Sequence, residues 1–278
     1  MGKSYPMNCK YRIAAIQMRS TLNKQDNNFT AGELIQQAAS QEVALVTLPE
    51  TFNCLGSYPK MVSQAEEIPG ETSEWIAKLA VENEIFIHCG SIYEKAKKSN
   101  AIYNTSFLTD PSGNIIAKYR KIHLFDVSIP NEFSSSESSW IQPGDEVVVE
   151  DTSIGTLGFS ICYDLRFPEL YRRLAKRGAH LFFVPAAFRA TTGAAHWEVL
   201  LRSRAIENQA YIVAPNQWGD HPKPSNYGNS MVVNPWGEII VRSDNTKDDV
   251  LIAEIDLMQL NEIRQCLPAL DHRRIDAS

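Results

Sequence analysis

Three groups able to do acyl chemistry are spread along this 278-residue chain: a carboxylate at Glu50, an amine at Lys121 and a thiol at Cys162. Cys162 sits in Gly158-Phe159-Ser160-Ile161-Cys162-Tyr163-Asp164-Leu165-Arg166-Phe167-Pro168-Glu169, an apolar run that ends at the cysteine. Residues 169–177 then repeat their apolar positions at helical spacing, which predicts a strand handing over to a helix through a sharp elbow. A thiol at such an elbow projects clear of the sheet, where free backbone N–H groups can meet an incoming carbonyl oxygen. With an ordinary pKa of about 8.5 a thiol is mostly protonated at neutral pH, so a nucleophilic Cys162 needs a base or a cation beside it. Glu50, Lys121 and His123 are the candidates. Each has a plain structural alternative: Glu50 as a helix cap, Lys121 on a solvated edge, His123 as a satisfied loop histidine, and Cys162 itself as a small buried hydrophobe.

The composition narrows the setting for that chemistry. With 44% hydrophobic residues, the chain can bury a large core as one domain or as two tightly fused halves. Its 27 basic and 33 acidic residues give a formal charge of −6, without a long basic block. That balance argues against nucleic acid or an anionic membrane as the main partner and favours a small polar substrate. Five cysteines without a C-x-x-C pair do not read as a disulfide framework or a zinc site, so a reducing, cytoplasmic compartment is expected. Residues 1–10 carry no apolar run of signal-peptide length and no later segment reads as a membrane span, so a soluble protein is expected. The glycosylation-type matches at Asn28 and Asn104 are then fortuitous.

The elements that must position these groups follow from periodicity. Residues 12–18 read as a strand, 31–41 as a helix, and 43–48 as a buried parallel strand that leaves Glu50 at its carboxyl end, the edge where α/β sheets bind ligands. Residues 73–83 read as a helix capped by Ser73, 85–93 as a strand, and 101–108 with 114–119 as a hairpin about the turn 110–113. That hairpin delivers Arg120, Lys121 and His123, ahead of a Ser-rich loop at 131–139 carrying Glu132 and Glu137. The second half repeats the order. Residues 43–52 align with 179–188, each an apolar strand followed by Pro-x-x-Phe, and 110–118 align with 234–242. Residues 197–209 read as a helix, and 210–215, 230–234 and 251–256 as strands. Two related helix-covered sheets bury their remaining apolar faces against each other, which predicts an α/β fold with four layers, an α-β-β-α sandwich. The repeat is asymmetric where it matters: Glu50 in the first half corresponds to Ala186 in the second.

Three motifs in order, Leu48-Pro49-Glu50, the stretch from Tyr119-Arg120-Lys121 to Asp126, and the stretch from Ile161-Cys162 to Glu169, resemble the carbon–nitrogen hydrolase (nitrilase) superfamily over nearly the whole length. The resemblance implies a single domain over residues 1–278, with a core of about 11–258 and a C-terminal extension at 259–278. It implies the same sandwich fold and a catalytic Glu50, Lys121 and Cys162, together with a second glutamate that maps best onto Glu137, with Glu132 the weaker choice. In such a site Glu50, its pKa raised by burial, would take and return the proton. Lys121 and the backbone N–H of Tyr163 would steady the oxyanion, and no cofactor would be involved. Phe188-Arg189-Ala190-Thr191-Thr192-Gly193, with residues 195–205 and 227–237, resemble the branch of deaminated glutathione amidases and omega-amidases, whereas Asn229 stands where the former more often have His. That branch implies an amide carrying a 2-oxo acid, deaminated glutathione ahead of 2-oxoglutaramate-type amides, with Tyr163, Arg166, Phe188 and Thr191 or Thr192 as substrate-binding residues. Arg166 has two readings, a clamp on the substrate carboxylate or a structural pair with Asp164 or Glu169. Members commonly form homodimers or higher homo-oligomers. Two rivals stand beside this reading, a non-catalytic interaction protein of the same fold and a Cys–His acyl transferase using His123. His196, Trp197, Cys9, Cys54, Cys89 and Cys266 read as non-catalytic.

Overall fold

The computed structural model describes residues 10–220 and 225–275; Cys9 lies outside them. Two mixed sheets carry the fold. In the first, the strands run in the order Asp249–Asp256, Lys10–Gln17, Leu45–Thr47, Phe86–His88, Ile102–Thr109, Ile92–Lys95, with Ile115–Arg120 also paired to Ile102–Thr109. In the second the order is Ile239–Arg242, Met231–Val233, Tyr211–Ala214, Leu181–Phe183, Gly155–Phe159, Val149–Thr152. Each sheet has three parallel strands at its centre, Lys10–Gln17, Leu45–Thr47 and Phe86–His88 in one and Gly155–Phe159, Leu181–Phe183 and Tyr211–Ala214 in the other. The repeat read from the sequence is thus a repeat of sheets.

Alternation along the strands produces the layers. Ile13, Ala15, Leu45, Phe86 and Leu108 point into the core shared with Leu157, Phe159, Leu181 and Phe183 of the second sheet. Ala14, Ile16, Val46 and Ile87 point the other way, onto Ala31, Ile35, Ala38, Ile76 and Leu79 of helices Lys24–Ala39 and Glu71–Asn83. Helices Pro168–Lys176 and Ala190–Asn208 cover the second sheet through Leu170, Leu174, Trp197, Leu201 and Ala205. The result is the four-layer α-β-β-α sandwich. The last strand, Asp249–Asp256, closes the first sheet by pairing antiparallel with Lys10–Gln17, and Val149–Thr152 pairs in the same way with Gly155–Phe159. Each half is therefore edged by the strand that ends the other. The following helix, Leu257–Cys266, buries Leu257 and Leu260 in the common core.

Several boundaries differ from the sequence reading for local reasons. The first helix starts at Lys24 because the Asn23 side chain accepts from the backbone N–H groups of Gln25 and Asp26. Ser73 lies inside its helix, its Oγ accepting from Gly70 N, so Gly70 takes the cap position. The fourth helix of the sequence reading begins at Ala190, ahead of residue 197. The expected strand 85–93 breaks in two at Gly90, whose φ of +67° and contact with the Leu48 and Pro49 carbonyls leave no room for a Cβ. That close approach presses the break against the turn carrying Glu50. The Ser-rich loop is largely ordered: Phe133–Ser136 pairs with Asp126–Ile129, and a single 3₁₀ turn, Glu137–Ser139, follows.

Candidate active site

The inward stripe of the first sheet changes character along its length. Leu45, Phe86 and Leu108 give way to Thr47, His88 and Ser106, and these to Asn104 and Lys121 at the carboxyl edge, beside Glu50 in the turn after its strand. Across the interface the second sheet delivers Cys162 at the first position of a 3₁₀ turn, Cys162–Arg166, which runs into helix Pro168–Lys176. Cys162 has a φ of +47° and Thr51, next to Glu50, a φ of +51°; both strained positions lie at the site. The Cys162 N–H donates to Pro185 O at 2.9 Å, tying the elbow to the neighbouring strand end.

The four groups meet. Lys121 Nζ lies 2.9 Å from Glu50 Oε1 and 2.9 Å from Glu137 Oε2, and the Cys162 thiol faces the Glu50 carboxylate. Lys121, Glu50 and Glu137 are each at most 4% exposed. Glu50 is further held by Asn104 Nδ2 at 2.9 Å on Oε1 and by Ala187 N at 2.8 Å on Oε2. Glu137 accepts from Phe125 N, and Glu132 is exposed in the turn of the 126–136 hairpin. The sequence left two candidates for the second glutamate; Glu137 is the one that reaches Lys121.

Electrostatics in this buried set depart from expectation on one point. Burial works to raise the Glu50 pKa, but the Lys121 charge, its hydrogen bond, the thiol and Ala187 N outweigh it, so Glu50 titrates below the usual carboxylate range rather than above it. Glu137 is pushed up by burial and by the Glu50 charge against the pull of Lys121. Lys121 is raised well above the ordinary lysine value because the two carboxylates overcome its burial. Burial and the facing Glu50 carboxylate raise Cys162, so the resting pair is a thiol beside a carboxylate. The buried set is thus an ammonium, an ionised carboxylate and a protonated thiol side by side.

A cleft of about 340 Å³ opens above this set. Tyr163, Phe188, Arg166 and Thr192 line it, as do Tyr58, Ser134, Ser135 and Arg189; Thr191 is exposed and does not. Arg166 pairs with neither Asp164 nor Glu169. Its guanidinium lies 5.2 Å from the centre of the Phe188 ring, and Nη1 is 3.2 Å from His196 Nδ1. Asp164, fully buried, instead takes Tyr119 Oη, Ile161 N, His123 N and His123 Nδ1, all within 3.0 Å, and so binds the elbow to the segment carrying Lys121. His123 is thereby committed to Asp164 and stacked on Phe167, away from the cleft lining. Trp197 is buried, with its ring N–H on Asn229 O.

A model of carbon-nitrogen hydrolases matches residues 12–265. The chain belongs to the carbon–nitrogen hydrolase family. It is 40% identical to omega-amidase NIT2 of Homo sapiens over 96% of either chain, and 40% identical to the deaminated glutathione amidase of Dictyostelium discoideum over 97% of this chain and 96% of that one. The solved NitFhit protein of C. elegans superposes with a TM-score of 0.89 at 39% identity; the match covers 95% of this chain and spans 65% of that longer one. This carbon–nitrogen hydrolase is accordingly an enzyme that acts on amides, and none of its described helices is long and apolar enough to cross a membrane.

Some members of the site were missed by sequence reasoning. Asn104 figured only as a glycosylation-type match, yet it is buried and bonded to Glu50; its placement two residues before Ser106 on an inward-facing strand was the available signal. Ala187 contributes only its backbone, and Tyr58 reaches the cleft from helix Tyr58–Ser63 to meet Ser135 Oγ at 2.8 Å. No local pattern marks either of these.

Proposed function

We propose that this hydrolase cleaves a small amide carrying a 2-oxo acid, deaminated glutathione first and 2-oxoglutaramate-type amides second, through a thioester on Cys162. The observation that carries the reading is the shared Glu50 carboxylate, bonded to Lys121 Nζ and faced by the Cys162 thiol at the floor of a cleft lined by Arg166.

As the Cys162 sulfur bonds to the amide carbon, its proton passes to Glu50. The carbonyl oxygen becomes an oxyanion and draws on Lys121 and the Tyr163 N–H; losing one such donor costs on the order of 3–4 kcal/mol. Drawing Lys121 toward the oxyanion weakens its hold on Glu50, and this restores the basicity that the resting ion pair suppresses. Glu50 then returns the proton to the departing amine nitrogen as the C–N bond breaks. A water attacks the thioester, gives its proton to Glu50, and the acid leaves as Cys162 is reprotonated. Glu137 keeps Lys121 charged and in place. Arg166, with the Thr192 hydroxyl nearby, receives the 2-oxo acid carboxylate. The family resemblance supports a homo-oligomer, and the free Cys54, Cys89, Cys162 and Cys266 support a reducing, cytoplasmic setting.

Incubation of the purified protein with deaminated glutathione or 2-oxoglutaramate should release 2-oxoglutarate, followed by coupled reductive amination, with an acyl adduct on Cys162 by mass spectrometry. No product from either amide, or an adduct on Cys89, would overturn the reading.

A further inference from the structure

One side chain that holds the Glu50 carboxylate has no part in the mechanism above. Asn104 is almost wholly buried on strand Ile102–Thr109, lines the cleft, and gives Nδ2 to Glu50 Oε1 at 2.9 Å. Its carbonyl accepts the Lys121 N–H at 2.8 Å, so a single strand residue fixes both the base and the backbone that carries the ammonium. Asn104 Oδ1 takes no donor among the described residues. A buried amide whose oxygen goes unmet is a poor device for stability, and the group it does serve is the carboxylate.

A carboxylate offers about four lone-pair sites, shared equally by its oxygens. On Oε1 both are taken, by Lys121 Nζ and Asn104 Nδ2, whereas on Oε2 Ala187 N takes one at 2.8 Å. The open site is therefore on Oε2. Of these donors Ala187 is fixed backbone, and Lys121 must turn toward the oxyanion during attack. Without Asn104 that turn would leave Oε1 bare and the carboxylate free to swing about its remaining bond.

We infer that Asn104 is a positioning residue for the base: it holds Oε1 of Glu50 while Lys121 serves the oxyanion, so that the carboxylate keeps its aim and takes the thiol proton on Oε2. The inference rests on the amide-hydrolysis reading and deepens it. The proton leaves Sγ, binds Oε2 and passes from there to the departing nitrogen, while Asn104 keeps both of its own. An amide suits the task because it donates without adding charge, so it steadies the ionised carboxylate less than a second ammonium would and leaves it able to accept.

The test follows kcat and KM against pH, from about pH 4 to 8, in the wild type, Asn104→Leu and Asn104→Asp, using whichever of the two amides the wild type cleaves. The ionisable groups facing Glu50 are Lys121, Cys162 and Glu137, with Tyr58 and Tyr93 beyond them and kept protonated by burial; all are common to the variants. The asparagine N–H favours the ionised carboxylate, so its loss raises the Glu50 pKa and moves the acid limb of kcat/KM to higher pH. Asn104→Leu should move it by about one unit and lower kcat about ten- to a hundredfold with KM nearly unchanged, as expected for a lost hydrogen bond to a charged group. Asn104→Asp puts a like charge beside Oε1 and should move the limb further. A limb that stays in place in a folded variant overturns the inference, since a fall in kcat alone is what a loosened fold would give. A rise in KM with kcat and limb kept would make Asn104 a substrate contact and overturns it too. If one variant fails to fold the other decides; if neither folds, Asn104 serves the fold and the inference fails. A wild type that cleaves neither amide refutes instead the amide reading beneath it.

Discussion

After strand Leu45–Thr47 the chain places Pro49, Glu50 and Phe52; after strand Leu181–Phe183 it places Pro185, Ala186 and Phe188. The two phenylalanines do equivalent work, each packing on a tryptophan of a later helix: Phe52 with Trp75 at 6.4 Å between ring centres, and Phe188 with Trp197 at 5.0 Å. The residue after the proline is where the halves part. Glu50 turns its carboxylate to Lys121 and Cys162, while Ala186 is wholly buried and leaves its neighbour Ala187 to donate a backbone N–H to Glu50 Oε2. Gln217 of the second half also donates to Glu50 O. One strand end supplies the carboxylate and its duplicate supplies a mould for it, so the comparison teaches that the site belongs to neither half.

Removing the difference from the first side should have the largest effect. Glu50→Gln keeps the shape and the hydrogen-bonding reach but takes no proton, and kcat for the amide should fall by about 10²- to 10⁴-fold. Single-turnover acid formation would check it, and a variant retaining a tenth of wild-type kcat would show that the first-half acid is not the base. Removing the difference from the other side should not build a second site. Ala186→Glu would bury a carboxylate with no ammonium opposite it, at a cost of about 3–5 kcal/mol by analogy with a broken buried pair. Urea unfolding would register this, and a variant as stable as wild type would mean that the second strand end can accommodate an acid after all.

How far this was legible beforehand follows from which features are local. The duplicated strand-Pro-x-x-Phe pattern, the hairpin before Lys121 and the elbow at Cys162 are all set by periodicity within one segment, and the sequence reading placed them. The Ser-rich stretch was read as loop because its Ser134, Ser135 and Ser136 carry little strand signal, and pairing with Asp126–Ile129 overrode that weak preference. Ala187 N, Gln217 and Asn104 escaped notice because their partner is another element's carboxylate, a fact created by stacking the sheets. The lowered Glu50 pKa escaped for the same reason. Burial was foreseeable from the apolar strand, but the number of donors gathered around the carboxylate was not.

A smaller contrast separates the two phenylalanines. Phe52→Leu and Phe188→Leu should each cost about 1–2 kcal/mol of stability, since each vacates part of a buried aromatic contact. Only Phe188 lines the cleft and lies beneath Arg166, so only its variant should also raise KM. Equal KM changes in both would erase the distinction.

The gentlest probe lies one step inward from the site, where the first half again presents polar groups and the second apolar ones. His88 is fully buried, with Nδ1 2.8 Å from Thr47 Oγ1 and Nε2 2.7 Å from Ser106 Oγ, and its ring is stacked 3.9 Å from that of Phe183 in the second sheet. Burial lowers its pKa to about 3 from an ordinary 6.5. The folded protein thus keeps the ring neutral while the unfolded chain binds a proton below pH 6.5. Stability from this residue is complete above that value and drains away as the pH falls toward 3, at about 1.4 kcal/mol per pH unit. His88→Gln should flatten the dependence of unfolding free energy on pH between 4.5 and 6.5 by that slope. Urea titrations of both proteins across that interval would measure the difference. Parallel curves would mean that the unfolded chain is not the side gaining the proton, and that the polar face of the first sheet is not closed off by the aromatic face of the second.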